Sequence, residues 1–213
     1  MPSSQSSSSG SFFSEWETQF PQFFPQMGGL PSLQDVLRLR QIHALEHGTV
    51  WVLSEQHLNQ ARRMRPRLPR TIAVDDEHLS GLSTHEGFYL YGQVETAQLT
   101  QAVRQALHRL TSGESSLAIH PRCGTNVAVG MTLTAGLVLG AHLLFPKNPL
   151  TQAIGLGSAV LTAAHLTPTI GEWAQAHLTT AIPFNLVVRR IYPLSDPGGR
   201  PTHFVQIGWT ERS

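Results

Sequence analysis

The stretch NVAVGMTLTAGLVLGAHLLF, residues 126–145, runs for 20 residues without an Asp, Glu, Lys or Arg. That matches the ~20 residues an α-helix needs to cross a bilayer. A second uncharged stretch, rich in Gly, Ala, Thr and Ser, occupies 150–170 after the polar turn PKNP. The two read as a transmembrane helical hairpin. The competing reading is a buried helical pair in a soluble core, and His142, His165 and Pro168 keep it open. Ionisable groups at such depth face a partner, so the two histidines would bond one another or line a polar path.

The hairpin accounts for the composition. Of 213 residues only 14% are charged, against roughly 25% in an ordinary soluble domain. A net charge of +1 gives no electrostatic footprint for nucleic acid. The single cysteine, Cys123, excludes an intramolecular disulfide. Arg109 and Arg122 precede the hairpin and Arg189 and Arg190 follow it, while Lys147 stands alone in its turn. Positive charge collects on the cytoplasmic side, so the chain reads as a multi-pass membrane protein with its soluble parts in the cytoplasm.

Around the hairpin the chain divides into five parts. Residues 1–30 begin with a serine-rich, disordered tail lacking the basic and apolar regions of a signal peptide. Its aromatic, proline-broken stretch FFSEWETQFPQFFPQM would sit at a membrane interface or cover an apolar groove. Residues 31–60 form a helix, capped at Ser32 with Asp35 in the first turn, ending near 56–60. Residues 61–124 begin with ARRMRPRLPR, a basic loop with five arginines and two prolines, and continue as a small α/β unit. There TIAV, GFYLYGQV and SSLAIH are strands, and the stretch from Glu95 is a helix with Leu99, Val103, Ala106, Leu107 and Leu110 on its apolar side. Residues 125–170 are the hairpin. Residues 171–213 add two strands, FNLVVRRIYPL and THFVQIGW, across the turn SDPGGRP. The fold class is α+β, a small soluble α/β unit with a transmembrane hairpin.

The chemistry sits in RQIHALEHGTVWVL. His43 and His47 lie one helical turn apart on one face, with Glu46 between them, so both imidazoles can reach one zinc-like ion. Glu46 is placed to act as general base on a metal-bound water, and H-x-x-E-H is the ligand order of inverzincin metallopeptidases. The other reading is a helix histidine pair bonded to Glu46 in a polar core. A catalytic metal needs a third ligand. HPRCGTN supplies Cys123, with His120 three residues earlier, and Glu114 is a further carboxylate candidate. His85 has the look of an exposed loop residue, and His57, His78, His108 and His203 have no ligand spacing.

These motifs carry a resemblance. HALEH, then HPRCGT, then an apolar hairpin and GEWAQAHLTT are similar to a bacterial membrane family described as metal-dependent enzymes. That family has H-G-A-E-H, H-P-R-C-G-T and, after the membrane helices, Gln and a Thr-Thr pair. STHEGFYLYG and SGESSLAIHPRCGTN more closely resemble a family of unknown function typical of photosynthetic bacteria, over roughly residues 33–180. The resemblance implies a metal site at His43, Glu46, His47, His120 and Cys123, with Gln175, Thr179 and Thr180 matching the last motif. Leu45 departs from the family's small residue, and Asn126 from its serine.

Two functions follow as expectations. One is a membrane-embedded metal-dependent hydrolase, with a divalent ion, zinc by its ligands, on His43, His47 and Cys123, and Glu46 activating water; a peptide or a lipid-linked group would be the substrate. The other is a non-catalytic membrane protein, in which a structural metal or polar cluster serves assembly of a larger complex. Either places the chain in a lipid bilayer, with a complex partner or a second copy beside it.

Overall fold

The computed structural model describes residues 32–64, 75–195 and 199–210. The chain divides into a short unit, Met1–Val36, and a main unit, Leu37–Ser213. In the short unit Ser32 Oγ accepts from the Asp35 N–H at 3.1 Å, and Asp35 Oδ2 accepts from the Ser32 N–H at 3.1 Å. This reciprocal cap starts helix α1, Leu33–Met64. The helix runs past its expected end near residue 60, because nothing in QHLNQARRM breaks it before Pro66.

The main unit is built around α1, which is buried on nearly every side between Gln41 and Ser54. Strands β1 (Ser80–Thr84) and β2 (Gly87–Tyr91) form a hairpin, followed by helix α2, Thr96–Thr111. Two further strands, β3 (Leu186–Ser195) and β4 (Pro201–Trp209), complete an antiparallel sheet of order β1-β2-β4-β3. Phe88 and Leu90 of β2 lie opposite Val205 and His203 of β4. The two C-terminal strands thus join the sheet of β1 and β2, as expected. The core joins Ile42, Leu45 and Leu53 of α1 to Phe88 and Leu90, to Leu99, Val103 and Leu110 of α2, and to Ile207. Burial of each such side chain stabilises the fold by about 1.5–3 kcal/mol.

One expected strand is not one. SSLAIH forms a short 3-10 turn, Ser115–Ala118. Its carbonyls are taken by α1: His47 Nδ1 reaches the Ala118 oxygen at 2.6 Å, and Trp51 Nε1 donates to Ile119 at 2.9 Å. Acceptors spent on a helix cannot join a ladder. Conversely SGLST, with no apolar alternation, is a strand because β2 supplies its hydrogen bonds. The residues 1–31, TIAV at 71–74, most of the arginine-rich loop and 196–198 of the last turn lie outside the described residues.

Helices α3 (Gly124–Leu144) and α4 (Pro149–Ala174) fall on the two expected stretches, α3 starting two residues earlier and ending one earlier, α4 running on to residue 174. They pair antiparallel where small residues permit, with Gly130 against Thr167 and Gly155 against Phe145. Both are long and apolar enough to cross a membrane, α3 spanning about 30 Å. Only 6% and 17% of their most apolar windows are buried, so neither helix is enclosed by the other described residues. Met131, Leu139, Leu143, Ile154 and Leu161 all stand exposed.

Candidate metal centre

His43 and His47 meet edge to face, with ring centroids 4.3 Å apart. His43 Nδ1 lies 3.0 Å from the Thr179 carbonyl oxygen, as His47 Nδ1 does from Ala118 at 2.6 Å. A carbonyl only accepts, so in each neutral ring the proton sits on Nδ1 and Nε2 keeps its lone pair. Cys123 Sγ lies 3.3 Å from His43 Nε2. One donor atom from each of His43, His47 and Cys123 lies within 4.8 Å of the others. Tetrahedral ligands at ~2.0–2.3 Å from an ion stand roughly 3.3–3.6 Å apart, so small side-chain shifts would bring this trio onto one ion.

Cys123 is the N-cap of α3, and its sulfur accepts the Thr125 N–H at 3.3 Å. Burial pushes the thiol up, but His47 and the Thr125 donors outweigh it and hold its pKa below the ordinary value. Glu46 is buried, and burial raises its pKa against the opposing pull of the Ser83 hydroxyl and His43. Ser83 Oγ donates to Glu46 Oε2 at 2.6 Å. A Cβ on Gly81 would collide with that carboxylate, so β1 passes against it only because residue 81 is glycine. Glu46 is not among the converging donors, yet it lines the same cleft of about 380 Å³ with His43, His47, His120 and Cys123.

His120 is in the cleft but turned from the trio. Its ring centroid is 5.6 Å from that of His47. Its Nδ1 accepts from the Arg122 N–H, and its Nε2 lies 3.3 Å from Asp75 Oδ1, an ion-pair distance without hydrogen-bond alignment. Burial lowers its pKa to about 4, against the attraction of Asp75, so the ring is neutral at pH 7. Arg122 holds Asp75 through two guanidinium hydrogen bonds, which keep that carboxyl below the usual range.

Gln175, fully buried, ties the surrounding segments together. Its Oε1 accepts the His120 N–H at 2.8 Å, and its Nε2 donates to Asn126 Oδ1 at 2.9 Å. Asn126 in turn donates to the Pro121 carbonyl, and Gly171 leaves room for it. Gln175 opens a π-helical turn, Gln175–Thr179, that ends α4. Its own carbonyl accepts from the Thr180 N–H and hydroxyl. Arg40 grips the carbonyls of His177 and Thr180. The turn thereby delivers the Thr179 carbonyl to His43. Sequence motifs singled out Gln175, Thr179, Thr180 and Asn126 and took in Ser83 within STHEGFYLYG without a role, but gave no sign of Gly81 or Asp75.

The other candidates lie elsewhere. Glu114 is held by Arg109, Nε to Oε2 at 2.7 Å, and stands outside the converging group. His142 bonds Gln152 at 3.1 Å rather than His165, which stands exposed on α4. His85 is exposed in the β1–β2 turn, as expected. His57 pairs with Asp76 at 2.8 Å, and His203 with Thr96 at 3.0 Å.

Fold and site together define a class: among the described residues, a mixed α+β chain with four α-helices and a small antiparallel sheet, two of the helices apolar enough to span a membrane, and a His-His-Cys group that could hold a metal ion. The chain belongs to the family described as Domain of unknown function (DUF6391), whose model matches residues 38–191. It is 46% identical over 202 residues to an uncharacterised protein of Picosynechococcus sp. (strain ATCC 27264 / PCC 7002 / PR-6), covering 95% of each chain. No solved structure matches it.

Proposed function

We propose that this chain is a membrane-embedded, metal-dependent hydrolase, with α3 and α4 as its transmembrane hairpin and its soluble unit on the cytoplasmic side. The observation that carries the reading is the convergence of His43, His47 and Cys123, with both histidines oriented through backbone carbonyls. Carbonyl-anchored imidazoles are typical of metal ligands. Thiolate and imidazole donors suit zinc. Three protein donors leave a position open to the cleft, which favours catalysis over a closed structural site. When bound, such an ion lowers the pKa of a coordinated water to about 7. Glu46, whose pKa burial raises, then serves as proton acceptor at the cleft wall, with Ser83 fixing its orientation. The likeness of HALEH and HPRCGT to a family described as metal-dependent membrane enzymes agrees with this.

A second reading rests on His120. A rotation away from Asp75 would add a fourth donor and make the site structural, serving assembly of a larger membrane complex. Metal analysis of the purified full chain tests both. Wild type should hold one ion, and Cys123→Ala and His47→Ala should lose it. Glu46→Gln should keep it. A His120→Ala variant that loses the ion would favour the structural site. Wild type without stoichiometric metal would refute both readings.

A further inference from the structure

The cleft is bounded on one side by a strand edge. Among the described residues β1 is the outermost strand of its sheet, bonded to β2 on one side. Among the described residues, no backbone hydrogen bond reaches its other side. Ser80, Gly81, Leu82 and Ser83 line the cleft in unbroken succession. Side chains of a strand alternate between two faces, so a cavity on one face touches every second residue. Contact with all four means that the cavity runs along the edge. Glu46, hydrogen-bonded to Ser83 and packed against Gly81, closes the cleft at the foot of β1, and the other wall carries His43 and His47 from α1 and Cys123 to Thr125 at the start of α3. An open edge presents a row of N–H and C=O groups, and the chemistry that matches such a row is another backbone in extended form. Leu39, Val50 and Leu82 add apolar lining for the side chains of such a segment.

We propose that the cleft takes an extended peptide segment, added to β1 as a further strand, with one peptide bond beside the His43–His47–Cys123 group. This rests on the hydrolase reading and names its substrate class: an unfolded stretch of polypeptide presented at the root of the two apolar helices. The reaction is hydrolysis. The amide C–N bond breaks, the water oxygen bonds the carbonyl carbon, and a proton passes through Glu46 to the leaving nitrogen. Nothing is oxidised or reduced.

The test uses the full chain in phosphatidylcholine–phosphatidylglycerol vesicles, with its metal content measured, and β-casein as an unfolded probe. Wild type should cut casein internally, and Glu46→Gln should not. The segment around the cut is then resynthesised with N-methyl groups on alternate amides outside the scissile bond, one peptide for each alternation. Strand addition uses every second N–H, so one series should be cut at least tenfold more slowly and the other at the parent rate. Metal-loaded protein that leaves casein intact overturns the peptide assignment while the metal site stands. Equal rates for the two methylated series overturn it as well. Wild type without metal defeats the hydrolase reading first, and the substrate assignment with it.

Discussion

Gln175 shows how much of the centre depends on residues that are not ligands. One amide side chain joins the HPRCGT loop to the start of α3, while its own backbone carbonyl holds Thr180 beside the turn that serves His43. Truncation to alanine leaves the buried His120 N–H without its acceptor, a loss of about 1–3 kcal/mol. Groups that orient ligands typically contribute 10–100-fold in metal affinity. Gln175→Ala should therefore weaken metal binding by at least about tenfold in a chelator competition titration, with the ligands themselves intact. Unchanged affinity would mean that the amide only packs. Asn126, a departure from the resembled serine, belongs to the same network. Its longer side chain reaches both Pro121 and Gln175 across the space that Gly171 leaves.

At the scale of elements, Arg109 near the end of α2 holds two carboxylates at once. Its guanidinium donates to Glu55 of α1 at 2.6 Å and to Glu114 in the following turn at 2.7 Å. The Arg109 hydrogen bonds hold the Glu114 carboxyl below its ordinary 4.5. A carboxylate whose folded pKa is depressed stabilises the fold above its unfolded pKa, and that contribution is lost as pH falls through the folded value. Both partners are partly exposed, so the pair contributes about 1 kcal/mol at most. The thermal midpoint of Arg109→Leu in detergent should lie below that of wild type at pH 7, and the gap should shrink below pH 4.5. A gap independent of pH would refute this account. The same region explains the misread strand. SSLAIH has strand-like residues, but its carbonyls face an α1 that carries His47 and Trp51 at the right heights to take them.

For the whole molecule the decisive quantity is apolar surface left uncovered. α3 and α4 pack on one another and leave most of their remaining surface exposed, which in water would be an aggregation hazard. A bilayer removes that cost. We expect the chain to stay in the membrane pellet after an alkaline carbonate wash, and release of wild type would refute insertion. Ala135 stands exposed near the middle of α3. An arginine at a helix centre costs about 2.5–3.5 kcal/mol of insertion free energy. Ala135→Arg should lower the pelleted fraction, and Ala135→Leu should not.

Residue order alone determined the features that rest on local periodicity. Uncharged length marked the two apolar helices, the 3.6-residue repeat marked α1 and α2, and the i, i+4 spacing put His43 and His47 on one face. Cys123 was legible as a thiolate donor in HPRCGTN just before an apolar helix, and only the structure shows that it also caps that helix. Tertiary structure decided the rest, because it depends on backbone groups and on close approaches that no residue type announces. The carbonyls of Ala118 and Thr179 that orient the histidines belong to residues whose side chains take no part in those bonds. Gly81 matters for the Cβ it lacks, and SGLST is a strand only because β2 lies beside it. His120 stands within the same short motif as Cys123, but packing against Asp75 turned it from the group that Cys123 joins.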